Sequence, residues 1–488
     1  MLLKELLQEV PGIIDIRGNL NTEIGSLSIN SREKSKRGLF FCISGAKFDA
    51  HDFAGQSIEN GCVALVVSRI LEDRDVPQIQ VENVRSAMAY IAGAFFGHAD
   101  RQLRLIGVSG TKGKTTTSYL LKAILEKAGY KVGLIGTTGN MIGNEHIKSN
   151  LTTPDPIDLH RCFQQMVNAG VQAVSMEVSA HAIDMHRLDG LTFEAACYTN
   201  FSQDHLDYFH TMENYFETKK SFFMHGQVLN AALNADEETS ARILEDLKVP
   251  YLSYGISANA DLFARDIEIS EDGVNFSIQL RGVEEMDVHM QMTGMFNVYN
   301  ALAAASLAMI VGVDKEYIRE GLRSVKAVPG RIEMLDTGTP YKVILDYSHS
   351  PDALENILTT VRMFTKKRLI VLFGCGGDRD HGKRPIMGEI GGRLADYSIL
   401  TSDNPRTEDP EVILEAIEEG MKPTQGKYIM IENRREAIRY ALRMGHEGDV
   451  IILAGKGHET YQDVMGVKRP FDEKVVVSEL LEEIRSEL

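Results

Sequence analysis

Apolar residues recur along this chain in two rhythms. Short unbroken runs, the signature of buried strands, alternate with stretches whose apolar positions lie three and four apart, the spacing of a helix with one buried face. Within residues 1–98, strand-like runs fall at 27–29, 39–43, 64–67 and 79–81, and a helix is expected over 84–96. Residues 1–10 mix leucines with Lys4, Glu5 and Glu9 and read as an amphipathic helix. Leu105, Ile106 and Val108 then end a strand, and Leu120, Leu121, Ile124, Leu125 and Ala128 mark a helix that Gly129 can close. Further strands are expected at 132–135, 173–176, 195–199 and 274–280, with helices near 157–167 and over the alanine-rich 301–310. After a turn at Val328-Pro329-Gly330-Arg331, strands at 343–345, 369–373, 398–401 and 450–453 each end in polar residues.

This alternation predicts an α/β protein of three domains. A smaller N-terminal α/β domain is expected over 1–98, a central domain with a P-loop ATPase-type parallel sheet over 99–329, and a C-terminal Rossmann-like α/β domain over 330–488. The length of 488 residues agrees, at about 150 residues per domain. Ligands of such sheets bind beyond the carboxyl ends of the strands, so the strand tips are where the chemistry is expected.

Composition narrows the class. Hydrophobic residues make up 43 % and charged residues 25 %, an ordinary globular balance. A net charge of −17 argues against a nucleic-acid partner but leaves room for anionic substrates at a local basic site. The five cysteines are scattered and form no Cys-x-x-Cys pair, so neither a disulfide framework nor a zinc site is expected. The first residues lack the apolar run of a signal peptide, and the apolar run 301–313 falls short of the roughly 18 residues that suggest a membrane span. A cytoplasmic protein without a membrane partner, and a monomer, is the expectation.

The chemistry centres on Ser109-Gly110-Thr111-Lys112-Gly113-Lys114-Thr115-Thr116-Thr117, between the strand ending at Val108 and the helix after it. Strand, glycine-rich turn, Gly-Lys-Thr and helix form a phosphate-binding loop: backbone N–H groups face the anion, the lysine reaches the outer phosphates and the threonine hydroxyl meets Mg²⁺. Val108 stands where the common pattern has its first glycine. Glu177 ends a strand, where an acid beside a phosphate loop commonly holds Mg²⁺, and His205 lies just beyond another strand tip, placed either as a structural residue or as a metal ligand. Lys219 and Lys220 follow on a helix, where a solvated face is the plain alternative. Ser31-Arg32 near a strand end reads as a capped turn or a ligand contact. The glycine cluster 374–377 does not have the Gly-x-Gly-x-x-Gly spacing of a dinucleotide site.

Taken in order, residues 110–117, 176–181, 199–207, 294–300, 329–331, 346–352 and 455–459 resemble the motifs of the Mur ligases, the ATP-dependent amide-forming enzymes that build the peptide of bacterial cell-wall precursors. The resemblance covers nearly the whole chain. Asp403-Asn404-Pro405-Arg406 is similar to the motif of the branch that adds meso-diaminopimelate to UDP-N-acetylmuramoyl-L-alanyl-D-glutamate. The chemistry agrees, because an arginine fork can grip the distal carboxylate that diaminopimelate has and lysine lacks. The resemblance implies ATP on Gly110, Thr111, Lys112, Gly113, Lys114, Thr115 and Thr116, with Asn297, Arg331 and Asp346 around adenine and ribose. It implies Ser31, Asn150, Thr152, Thr153, Ser179 and Arg187 on the UDP substrate, and Arg379, Asp403, Asn404, Pro405, Arg406, Gly455 and Glu459 on the amino acid. Lys114, Glu177, His205 and Lys219 would be catalytic, and Thr115, Glu177, His205 and Lys219, the last carbamylated by CO₂, would support two Mg²⁺ ions. The spacing to His205-Leu206-Asp207 favours Lys219 over Lys220. Met185 and Asn30 depart from the family pattern, standing where relatives often have glutamine and aspartate. The alternatives are a lysine-adding ligase, a folylpolyglutamate synthetase-like ligase, which would not need the first 98 residues, and a regulatory P-loop ATPase without an amino-acid pocket.

Overall fold

The computed structural model describes residues 1–488 apart from 46, 47, 148, 150, 283, 284 and 488. Three main sheets carry three α/β domains. The N-terminal sheet runs in the order Ile13–Arg17, Gln78–Val81, Cys62–Val67, Gly38–Phe41 and Ser26–Ser28, antiparallel only at its first pair. The helix Val84–Phe95 lays Val84, Ala87, Met88 and Ile91 on it, and Asn83 caps that helix by accepting from the Arg85 and Ser86 N–H groups. The opening helix is shorter than expected, Leu3–Leu6. Ile13–Arg17 carries no strand signal, because it is an edge strand whose Ile14 and Ile16 face outward.

The central sheet has eleven strands. It is parallel from Leu262–Ser270 through to Val132–Gly136 and closes at both edges with antiparallel hairpins. The parallel strands are covered on both faces, which is why they read as continuous apolar runs. Helices Lys114–Lys127 and Met295–Ile310 pack one face through Leu120, Leu121, Ile124 and Leu302, while Pro156–Asn168 covers the other through Leu159 and Phe163. The helix Met295–Ile310 begins before its alanine-rich run, with Asn297, Val298 and Asn300 already buried.

The register of this sheet positions the site. Strand Arg104–Ser109 lies between Ala173–Glu177 and Ala195–Tyr198, with Val108 opposite Glu177 and Ser109 opposite Tyr198. The tips of all three strands therefore emerge side by side. The C-terminal sheet runs Glu333–Leu335, Lys342–Asp346, Val450–Ala454, Leu369–Phe373, Tyr397–Leu400 and Tyr428–Met430, antiparallel only at the first pair. Its four long strands match expectation; the three-residue edge strands gave no pattern long enough to read. All five cysteines are free and buried, and among the described residues no helix is long and apolar enough to cross a membrane.

Candidate active site

The phosphate loop crosses directly from strand Arg104–Ser109 to helix Lys114–Lys127. Gly110 and Gly113 adopt φ of 134° and 85°. A Cβ on Gly110 would lie 2.0 Å from Thr199 Oγ1, and one on Gly113 would lie 2.3 Å from Asn300 Oδ1. Both positions need glycine for conformation and for room. Gly113→Ala is therefore expected to cost about 1–3 kcal/mol locally, read by calorimetry as a roughly 5- to 150-fold loss of nucleotide affinity; wild-type affinity would show that the loop yields freely.

Lys114 Nζ donates to the carbonyls of Gly110 and Thr111, each at 2.9 Å. Lys219 Nζ donates to the same Gly110 carbonyl at 2.7 Å and stands 4.8 Å from the centre of the Tyr215 ring. Two lysine amines, the half-buried Lys114 and the fully buried Lys219, thus converge on one acceptor. Burial pulls Lys114 down to about 8; burial and the Lys114 charge hold Lys219 well below the ordinary lysine range. Lys220, next in sequence, instead pairs with Asp246 at 2.6 Å. Lys112 pairs with Asp204 at 2.9 Å, and against the opposing effect of burial its charge keeps Asp204 ionised well below the usual carboxylate range.

Glu177 is buried, accepting from the Thr137 N–H at 2.9 Å and the Thr137 hydroxyl at 3.0 Å. Its neighbour Gly136 must be glycine, since a Cβ there would lie 2.3 Å from Glu177 Oε1. His205 takes φ of 56° and stacks edge-on against His181, ring centres 4.8 Å apart. Burial, reinforced by the charges of Lys114 and Lys219, draws His205 down to about 3, so its imidazole is neutral and has a lone pair to offer. Among the described residues no three His, Cys, Asp or Glu side chains form a metal cage by themselves.

A cavity of about 590 Å³ between the central and C-terminal domains joins Lys112, Gly113, Thr115 and Thr116 to Arg331 and Asp346, and continues past Phe296, Tyr299 and Asn356. Arg331 reaches across to the Thr115 hydroxyl at 3.3 Å. Asp346 is raised by burial while accepting from the Ile332 N–H and the Ser348 hydroxyl. Asn297 stands behind the cavity wall: it donates to the Thr293 carbonyl at 2.8 Å and accepts from Asn300, and it is Asn300 that lines the cavity.

A second cavity, between the N-terminal and central domains, brings Ser31 together with Met185 and Arg187. Arg187 bonds the Thr153 carbonyl at 2.8 Å, pairs with Asp155 and touches the Met185 sulfur at 3.4 Å. Asn30 lines the same cavity, its side-chain amide donating to Glu33 at 2.9 Å. Thr153, Ser179 and Thr152 form a polar path from Arg187 toward Glu177: the Thr153 hydroxyl donates to the Glu177 carbonyl and accepts from the Ser179 N–H, and Thr152 meets Thr137 at 3.1 Å. Asn150 lies outside the described residues.

A third cavity of about 190 Å³ is lined by Arg379, Asp403, Asn404, Arg406, Gly455 and Glu459 from the C-terminal domain, and by Gln203, Asp204 and His205 from the central one. Gln203 bonds Asp380 at 2.8 Å across this seam. Arg406, at φ of 52°, donates to the Gly377 carbonyl at 2.6 Å. Pro405 is behind the wall, its carbonyl packed where a Cβ on Gly377 would come within 1.9 Å. Asn404 donates to Glu459 at 2.9 Å, and burial together with Asp403 raises the Glu459 carboxyl. Lys456, fully buried beneath the cavity, donates to Asn404 Oδ1 and faces Asp403 and Glu459 at 3.4 and 3.5 Å. Lys456, Thr137 and Asn300 were not singled out from sequence, although each sits within or next to a motif that was.

A phosphate loop, a buried carboxylate and a neutral imidazole at the carboxyl ends of neighbouring central strands, facing a charged cavity of amino-acid size, define an ATP-dependent amide-forming ligase. The chain belongs to the Mur ligase family. Family models described as Mur ligase family, catalytic domain, Mur ligase middle domain, and Mur ligase, glutamate ligase domain match residues 23–96, 108–308 and 330–457. The UDP-N-acetylmuramoyl-L-alanyl-D-glutamate–2,6-diaminopimelate ligase of Caldanaerobacter subterraneus subsp. tengcongensis is 45 % identical over 484 residues, 99 % of each chain. Ligase 1 of that name from Clostridium acetobutylicum is 42 % identical over 490 residues, 99 % of this chain and all of the other. A solved structure of a ligase of that name superposes with a TM-score of 0.70 at 30 % identity, covering 99 % of both chains. A folylpolyglutamate synthase from Mycobacterium tuberculosis shares the fold alone, with a TM-score of 0.64 at 16 % identity over 82 % of this chain and 95 % of its own.

Proposed function

We propose that the protein adds meso-2,6-diaminopimelate to UDP-N-acetylmuramoyl-L-alanyl-D-glutamate at the expense of ATP, in peptidoglycan precursor synthesis. The observation that carries this reading is the third cavity, in which Arg406, Asn404 and Glu459 face His205 and Asp204 beside the phosphate loop. Domains 1–98, 99–329 and 330–488 would present the UDP substrate, ATP and the amino acid in turn. The D-glutamate carboxylate attacks the γ-phosphate, forming an acyl phosphate and ADP; the diaminopimelate amine then displaces phosphate and loses a proton. A carboxylate acylates poorly at neutral pH, and a phosphate leaving group removes that obstacle.

The protein's part is position and charge. Lys114 neutralises the outer phosphates. Arg406 pairs with the distal carboxylate of diaminopimelate, and Glu459 and Asp403 face its ammonium groups. Thr115, Glu177 and His205 fit Mg²⁺, which keeps waters and substrate phosphates among its ligands and needs no all-protein cage. Lys219 fits carbamylation, since burial favours the neutral amine that adds CO₂ with loss of a proton. The ions, when bound, supply charge neutralisation on the phosphates.

Phosphate release with each amino acid, with and without the UDP-dipeptide, tests the proposal. Release should need both the UDP-dipeptide and diaminopimelate; release with lysine alone would favour the lysine-adding reading, and release without either substrate a regulatory ATPase. Lys114 gives a second check. The free protein carries its ammonium below about 8 and loses it above, while the triphosphate holds it charged. Nucleotide binding above that pH should take up a proton and weaken by about tenfold per unit at most. Titration of a non-hydrolysable ATP analogue in two buffers of different ionisation enthalpy reads this; no proton uptake would count against Lys114 as the phosphate ligand.

A further inference from the structure

A short hairpin outside the amino-acid cavity holds the motif that lines it. Strands Tyr461–Val464 and Val467–Pro470 form a separate two-stranded sheet, the second fully exposed. Met465 and Gly466, at φ of 53° and 75°, make the two-residue turn between them. No hairpin residue is among those lining the cavity. Its first strand nevertheless tracks Asp403–Arg406 residue by residue. Gln462 Nε2 donates to the Asp403 carbonyl at 2.7 Å, and the Asp463 N–H donates to Asn404 Oδ1 at 2.9 Å. The Asp463 carbonyl accepts from the Arg406 N–H at 3.0 Å, and the Met465 N–H donates to the Arg406 carbonyl at 2.6 Å. Lys456 ties the two together, donating to Asn404 Oδ1 at 3.0 Å and to the Tyr461 carbonyl at 2.7 Å.

We propose that this hairpin is a specificity clamp: Gln462, Asp463 and Met465 are positioning residues that fix Asn404 and Arg406 in the orientations that select the incoming amino acid. The inference rests on the reading of that cavity as the amino-acid site. The left-handed backbone of Arg406 gives the clamp its purpose. Arginine gains nothing from that conformation by itself, so two backbone bonds from the hairpin hold it there and set where its side chain leaves the main chain, from which the guanidinium reaches the Gly377 carbonyl. Asn404 likewise has its amide fixed from both ends, its Oδ1 taken by Asp463 and Lys456 and its Nδ2 turned to Glu459.

Asp463→Pro tests the clamp. The Asp463 N–H faces Asn404, so proline deletes that donor and spares the bonds between the two hairpin strands. Asp463→Ala keeps the N–H and serves as the control, and Gln462→Ala removes the bond to Asp403 without touching the backbone. Asp463→Pro and Gln462→Ala should raise KM for diaminopimelate by about tenfold or more, as small misplacements of positioned groups do. The preference for diaminopimelate over lysine should fall by a similar factor, with KM for ATP and the UDP-dipeptide and the melting temperature near wild type, and Asp463→Ala should lose far less of it than Asp463→Pro. An unaltered preference in both Asp463→Pro and Gln462→Ala would overturn the clamp. If the wild-type protein favours another amino acid, the reading of the cavity fails, and the same comparison made with that amino acid still decides the hairpin's role.

Discussion

Lys219→Ala is expected to lower ligase turnover by at least about a hundredfold, the scale of losing one preorganised charge group at a phosphoryl-transfer site. KM for ATP should move far less, because Lys114 and the loop amides remain. The argument starts from burial. Lys219 lies on the helix Met212–Met224 among Tyr215, Phe216, Phe222 and Phe223, with its amine on the Gly110 carbonyl and Lys114 bonded to that same oxygen. An ammonium in that position repels Lys114, and burial together with the Lys114 charge pushes the group toward its neutral amine. A neutral buried amine beside a phosphate loop has little to offer as it stands; converted by CO₂ to a carbamate, it becomes an anion able to support a second Mg²⁺. Alanine would remove the proposed anion and leave space for a small one. Added acetate or formate should therefore restore part of the rate in Lys219→Ala and none in Lys114→Ala. Full activity in Lys219→Ala without added carboxylate would show that no anion is needed there.

Most of the architecture was legible because parallel strands buried on both faces leave continuous apolar runs and end in polar tips. Glu177 could be read as a site residue from the run 173–176 before it, and the phosphate loop from its glycines despite Val108, which the structure places inside the strand opposite Glu177. Ile13–Arg17 and the edge strands Glu333–Leu335 and Tyr428–Met430 were not legible: short or half-exposed segments carry no period. Lys219 could be favoured over Lys220 only through its spacing to His205-Leu206-Asp207, since two adjacent lysines look alike by themselves. The packing of that helix turns Lys219 onto the phosphate loop and Lys220 to Asp246. Asn297 and Pro405 belong to motifs that do form the site, but each stands one layer back, supporting Asn300 and Gly377. Motif spacing identifies which segments meet; which side chain of a segment faces the ligand depends on φ and on neighbours, as the left-handed Arg406 shows.

Arg406→Ala should raise KM for diaminopimelate by about a hundredfold or more, while ATP and the UDP-dipeptide bind nearly as before. In the structure the guanidinium lines the cavity shared with His205 and spends one N–H on the Gly377 carbonyl, leaving further donors of its planar fork for a carboxylate. A charge-assisted bidentate pair in a partly buried site contributes more than a neutral hydrogen bond, and removing one partner also leaves the ligand carboxylate unpaired. Lysine as substrate has no such carboxylate, so the rate of the wild-type protein with lysine should change little. The ratio of kcat/KM for diaminopimelate to that for lysine should accordingly collapse in Arg406→Ala through the numerator alone. Arg406→Lys should not restore it, since a single ammonium on a flexible stem cannot reproduce the fork. Competition assays with both amino acids measure the ratio directly. A ratio that survives in Arg406→Ala would assign selection to Arg379, which lines the same cavity, and a ratio restored by Arg406→Lys would mean that charge alone, and not the planar fork, does the selecting.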